Sequence, residues 1–268
     1  MNAAGISRTE KMIARKDGPI GWIVFNNPAR RNAVSVEMWE ALAEIVDDYA
    51  RDPAIRVIVA RGAGGKAFVS GADISEFEQK RSTPESTEAY RRISERGGEA
   101  LRLVGKPTIA MIEGFCIGGG VSLALSCDLR IAAESARFGV PAARLGLGYE
   151  LPGVKKLVDV VGPAFAKEIF YTARQFTAAE ALQMGLINRM VADDQLESYV
   201  ADYARMIAAN APLTVASIKT IVGEALKDES ERDEALCDRV GDACFNSEDY
   251  VEGRRAFMEK RPAVFKGR

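Results

Sequence analysis

Two glycine-bearing turns are the places where this chain could do chemistry: Ser70-Gly71-Ala72-Asp73 and Gly118-Gly119-Gly120. Each precedes a stretch patterned as a helix. The first turn of a helix leaves its N–H groups unpaired, and glycine lets a ligand approach them closely. The helix dipole adds partial positive charge at the same point. If the two turns face each other, the N–H groups of Ala72 and Gly119 converge on one oxygen. That is an oxyanion hole, able to stabilise the enolate formed when a proton leaves the carbon beside a carbonyl. The same glycines would also serve tight helix–strand packing, and the sequence leaves both readings open.

Other ligands fit these turns poorly. Around Gly64-Gly65-Lys66, a phosphate loop needs glycine at position 60 and Ser or Thr at 67, and both positions are alanine. Counted from Gly118, a dinucleotide fingerprint needs glycine where Leu123 stands. Histidine is absent throughout, which excludes Ser-His-Asp and Cys-His nucleophiles and histidine zinc sites. Acid–base work therefore falls to carboxylates, Tyr, Lys, Cys or water. The four cysteines form no CxxC pair and are expected to be free thiols of a reducing cytoplasm, with no metal bound.

These turns need a scaffold, and the 268 residues can supply one. A formal net charge of −2, from 36 basic and 38 acidic residues, gives no reason to expect a nucleic-acid partner. No run approaches 18 apolar residues, and the N-terminal stretch lacks an apolar signal core, so neither a membrane span nor a signal peptide is expected. Residues 11–25 pattern as a hairpin turning at Asp17-Gly18. Ser35 is placed as the N-cap of a helix carrying Trp39, Leu42, Ile45, Val46 and Tyr49. Residues 57–60, 108–112 and 129–133 pattern as buried strands, and helix entry is expected at Ser82–Glu85. Strand, glycine turn and helix recur, which predicts a layered α/β fold. Beyond about residue 160 helices follow one another, with apolar stripes at Tyr199, Val200, Tyr203, Ala204, Ile207 and at Val215, Ile218, Ile221, Val222, Ala225. The expected division is an α/β core over 1–190 and a helical region over 191–268.

Six stretches, in this order, resemble the crotonase superfamily, the enoyl-CoA hydratase/isomerase family: NNPARRNAV, KAFVSGADI, IEGFCIGGGVSLALSCDLRIA, ARFGVPAARLGLG, FTAAEALQMGLINRMV and SEDYVEGRRAFMEKRPAVF. The resemblance covers essentially the whole chain. It implies a spiral of ββα units, a C-terminal helical trimerisation region, and a homotrimer or homohexamer. It also implies an acyl-CoA thioester as substrate, with no other cofactor, and Ala72 and Gly119 as the oxyanion donors. By position, coenzyme A contacts fall to Ala29, Arg30, Arg31, Lys66, Ala67, Phe68, Asp73 and Ile74. Phe257 and Lys260 are added from the tail of a neighbouring subunit.

The chain departs from the family where the chemistry is decided. Hydratases of the family use two glutamates, and the matching positions here are Ser122 and Ala142. Alanine moves no proton, and an unassisted serine is a poor base. The next acid is Glu150, in a region where some relatives carry a catalytic aspartate. A single carboxylate there could shuttle a proton between carbons if burial raised its pKa, or it could simply cap the following helix. The stretch PAARLGLGYELPGV resembles the methylmalonyl-CoA decarboxylase branch in having Tyr149, although that branch carries histidine where Ala72 stands. The expectation is a cytoplasmic isomerase or lyase using Glu150. A Tyr149-dependent decarboxylase and a silent acyl-CoA-binding paralogue are the alternatives.

Overall fold

The computed structural model describes residues 9–73, 76 and 83–268. Strands β1 (Met12–Asp17) and β2 (Ile20–Phe25) form an antiparallel hairpin with Asp17 opposite Ile20. The turn residues are therefore Gly18-Pro19, one place later than the sequence suggests. Gly18 supplies the left-handed backbone (φ +54°) that such a turn needs. Helix α1 (Val36–Arg51) follows with Ser35 at its N-cap, but the serine hydroxyl makes no cap bond. The Val36 N–H donates instead to Glu76 Oε2 at 3.0 Å.

Three successive units then build the core. Strands β3 (Val57–Gly62) and β4 (Ala67–Val69) lead to α2 (Pro84–Leu103). Strands β5 (Thr108–Ile112) and β6 (Phe115–Ile117) lead to α3 (Gly119–Leu125). Strands β7 (Leu129–Ala133) and β8 (Arg137–Gly139) lead to the short α4 (Ala142–Leu145). In each unit the first strand joins one sheet and the second joins another. The chain continues through α5 (Leu151–Thr172), β9 (Phe176–Thr177), α6 (Ala178–Gln183) and β10 (Arg189–Val191). One sheet runs β1-β2-β3-β5-β7-β10, parallel from β2 onward, and the other runs β4-β6-β8-β9. This is the expected ββα spiral.

The central parallel strands β2, β3, β5 and β7 are buried on both faces, as their continuous apolar runs require. Ile20, Trp22, Val57, Val59, Ile109 and Met111 share a cluster with Leu196, Val200 and Ala204 of α7 (Leu196–Ala208). The alternate residues Ile23, Phe25, Ile58, Ala60, Ala110 and Ile112 face α1 and α2. Gly97 allows α2 to lie against α1, since a Cβ there would sit 2.8 Å from the Trp39 ring. The first helix after residue 190 thus closes the core.

Beyond it come α8 (Pro212–Ala225), α9 (Glu234–Phe245) and α10 (Glu248–Glu259). On α8 the structure reverses the sequence reading. Ile218 and Val222 are exposed, while Ser217 and Glu224 are buried. Cys244 Sγ on α9 donates to Ser217 Oγ, and Asp233 N–H donates to Glu224 Oε2. The polar edge is satisfied within the chain, and the apolar stripe is left facing outward. Among the described residues no single helix is long and apolar enough to cross a membrane.

Candidate active site

The two glycine turns meet. A parallel bridge pairs Val34 with Ala72, with Val34 N–H donating to Gly71 O at 2.9 Å and Asp73 N–H donating to Val34 O at 3.0 Å. In a parallel bridge the flanking residues make those bonds, so the N–H of Ala72 itself points to the other side. On that side lies α3. A Cβ built on Gly119 would stand 3.6 Å from Ala72 N, and one built on Gly71 would stand 3.9 Å from Gly119 N. Neither the Ala72 nor the Gly119 amide donates to another described residue.

The backbone reaches this arrangement because glycine alone tolerates it. Gly71 has φ +116° and Gly118 has φ +56°. At Gly120 a Cβ would collide with the Val69 carbonyl of β4. The turn is further held by Gly118 N–H donating to Gly139 O at 2.8 Å, which extends the β6–β8 pairing. Packing and oxyanion binding, open alternatives in the sequence, turn out to be compatible: Gly120 serves packing, while Gly119 offers its amide.

The Ala29–Arg31 loop lies against the first turn. Ser70 N–H donates to Arg31 O at 3.1 Å, and Arg30 Nη1 pairs with Asp73 Oδ1 at 2.9 Å. The Arg31 guanidinium stands 5.0 Å from the Phe115 ring centroid. Arg30 and Lys66 remain exposed. Ala67 and Phe68 are buried, backbone included, with Phe68 edge-on to Phe25, so they expose almost no surface to a ligand. Ile74 lies outside the described residues.

Asn32, within NNPARRNAV, was missed as a site residue. It is fully buried, donates from Nδ2 to Ala67 O and Ala63 O at 2.7 and 3.0 Å, and accepts from Asn27 N–H at 3.0 Å. This one amide ties the arginine loop to β4. Its backbone is left-handed (φ 57°), a conformation that asparagine tolerates better than most residues.

Phe257 and Lys260 do not join the site within this chain. Both are exposed on or just after α10. The tail beyond them is tied to the opposite end of β3, where Arg56 Nη2 donates to Phe265 O at 3.2 Å. Asp249 takes the Lys266 and Gly267 N–H groups at 2.6 and 2.7 Å. Six strand residues, about 20 Å, separate Arg56 from the glycine-turn end of that strand.

Pro141 lies beside Gly118, and Ala142, next to it in the chain, is buried; Ser122, on α3 itself, is half-buried. Tyr149 is half-buried and edge-on to Phe170, with ring centroids 4.9 Å apart. Burial pushes its phenol above the usual range. Glu150 is the N-cap residue of α5 but makes no cap bond, and it is exposed. The burial that a Glu150 proton shuttle requires is therefore not supplied by this chain alone. Among the described residues no three His, Cys, Asp or Glu side chains cluster to hold a metal.

The profile of the Enoyl-CoA hydratase/isomerase family matches residues 15–268. This chain belongs to that family, the crotonase superfamily. It is 34% identical to a crotonyl-CoA hydratase of Syntrophomonas wolfei, over 96% of this chain and 98% of that protein. It is 32% identical to a short-chain-enoyl-CoA hydratase of Clostridium acetobutylicum, over 93% and 95%. The crystal structure of an enoyl-CoA hydratase/carnithine racemase from Magnetospirillum magneticum superimposes with a TM-score of 0.93 at 36% identity, covering 98% of both chains. The fold and the family expected from the sequence both hold.

Proposed function

We propose that this protein binds an acyl-CoA thioester with its carbonyl oxygen between the Ala72 and Gly119 amides, and catalyses an isomerase- or lyase-type reaction through the enolate. The observation that carries the reading is the pair of unpartnered amides facing each other beside Ser122 and Ala142. Two fixed N–H dipoles stabilise charge that develops on the oxygen, and they need no proton of their own. Relatives are named hydratases, but the positions that the family resemblance implies for the two hydratase glutamates hold Ser122 and Ala142 here, which supply no acid–base pair. No cofactor beyond the coenzyme A of the substrate is required.

Glu150 carries the proton in the first form of this reading. Being exposed, it needs an acyl group or a neighbouring subunit to cover it before burial can tune it for work near neutrality. The half-buried Tyr149 favours a second form, decarboxylation. There the hole stabilises the enolate left by loss of CO2, and the phenol, held protonated by burial, would be the group that returns a proton.

The outward apolar stripe of α8 supports a trimeric or hexameric assembly. A neighbouring copy is also the route by which Phe257 and Lys260 would reach a coenzyme A. Free cysteines fit a cytoplasmic setting.

The test is a screen of enoyl-, dienoyl-, hydroxyacyl- and malonyl-type CoA esters, with melting temperature measured beside turnover. Bound esters should raise the melting temperature by mass action. Crotonyl-CoA hydration should be very slow; a rate of about 10 per second would overturn the reading. Binding without turnover, and without deuterium exchange at the α-carbon, would identify a silent paralogue.

A further inference from the structure

Arg130, on β7, is 6% exposed, and among the described residues it forms no salt bridge. The adjacent Asp128 carboxylate is engaged elsewhere, by Lys219 Nζ at 2.9 Å and by the Thr108 N–H at 2.8 Å. A buried cation without a carboxylate is costly unless its donors are satisfied. Here carbonyls take its Nε and Nη1 donors. Nη1 donates to Cys127 O at 2.8 Å and to Ala124 O at 3.4 Å, and Nε donates to Leu186 O at 2.8 Å. The backbone of Arg130 is fixed as well. Its N–H donates to Asn188 Oδ1, and its carbonyl accepts the Asn188 N–H, both at 2.8 Å.

One of the three side-chain acceptors, Ala124 O, lies in the last turn of α3, and a second, Cys127 O, lies in the bend just past its end; the opposite end of this helix presents the Gly119 amide. Seven residues make this helix about 10 Å long, so the guanidinium and the hole lie at the two ends of one short rod. At the hole end Gly118, Gly119 and Gly120 allow close approach but bring little stiffness of their own. At the other end carbonyl oxygens carry the negative pole of the helix, where a cation is favourable. Desolvation pushes the guanidinium pKa down, yet arginine stays charged throughout the physiological range.

We propose that Arg130 is a positioning residue. By clamping the C-terminal carbonyls of α3 to the Leu186 loop, it fixes the Gly119 N–H in its place opposite Ala72. The proposal rests on the oxyanion-hole reading, and its test separates the two. Acetyl-CoA labelled with 13C at the thioester carbonyl is bound to the full-length protein, and the carbonyl stretch is followed by difference infrared spectroscopy. Affinity for free coenzyme A, which has no thioester carbonyl, is measured alongside.

Wild type should lower the carbonyl frequency on binding. Arg130→Met should lose more than half of that shift while its affinity for free coenzyme A is unchanged. On whichever ester the screen finds active, kcat should fall about a hundredfold, the cost of a slightly misplaced group. Arg130→Lys keeps the cation, but one ammonium cannot span Leu186 O and the helix carbonyls together, so an intermediate shift is expected. It also serves as the test if the methionine variant does not fold. A full wild-type shift in either variant would overturn the positioning role. Absence of any shift in wild type, with ligand bound, would overturn the oxyanion-hole reading instead.

Discussion

The two sides of the candidate site are built in opposite ways. Around the Ala72 and Gly119 amides the chain is locked by the Val34 bridge, the Gly118–Gly139 bond, and Gly120 pressed against β4. Across the hole, residues 143–148 are all exposed, and Glu150 has no cap bond. The difference separates two tasks. Holding negative charge needs fixed dipoles, which a rigid backbone provides. On the reading proposed above, moving protons falls to side chains near that exposed segment; of the two positions that lack glutamate, Ser122 stands on α3 in the locked half and Ala142 is buried just before residue 143.

The sharpest way to break this contrast is Gly120→Ala. Its Cβ must displace the Val69 carbonyl, so loss of about 4 kcal/mol of stability and of all turnover is expected, read by thermal melting and by activity. A stable, active variant would show that the locked side is not locked. Glu150→Gln, on the open side, should leave stability unchanged and reduce kcat about a hundredfold. An unchanged kcat would assign Glu150 to the helix end and leave Tyr149 as the proton donor.

The two positions that lack glutamate should also accept new chemistry. Ser122→Glu combined with Ala142→Glu should raise crotonyl-CoA hydration at least about tenfold, as followed by loss of the enoyl absorbance. No gain would mean that these positions do not face the reacting carbon. The smallest expected effect concerns pH. The phenol of Tyr149 is raised by burial, so its contribution to stability is complete below pH 10 and is lost as pH rises through the higher folded value. If Tyr149 is the donor, kcat stays level to pH 10 and falls only above it. Tyr149→Phe would then lose activity across the whole range. A fall in kcat well below pH 10 would point to another group.

Much of this was readable from residues alone. The ββα rhythm and the buried strands at 57–60, 108–112 and 129–133 follow from local pattern, because glycine turns and apolar runs act over a few residues, whereas the meeting of Ala72 and Gly119, 47 residues apart, does not. The stripe on α8 was legible as a stripe, but its outward direction was not. Direction depends on what Ser217 and Glu224 meet on α9, some ten to thirty residues away. Asn32 and Arg130 escaped notice for the same reason, since each binds an oxygen that is remote in the chain: Ala63 O and Ala67 O for Asn32, Leu186 O for Arg130.

Sequence by itself determined which groups exist: two amides that glycine can expose, no histidine, and no glutamate at positions 122 and 142. Tertiary structure decided which of those groups meet and which are dry. It turned Ala72 toward Gly119, left Glu150 in water, and folded the tail bearing Phe257 away from this chain's own hole. Residue type fixes the chemistry a group can do, whereas burial and distance, which set its electrostatics, arise only when remote segments pack.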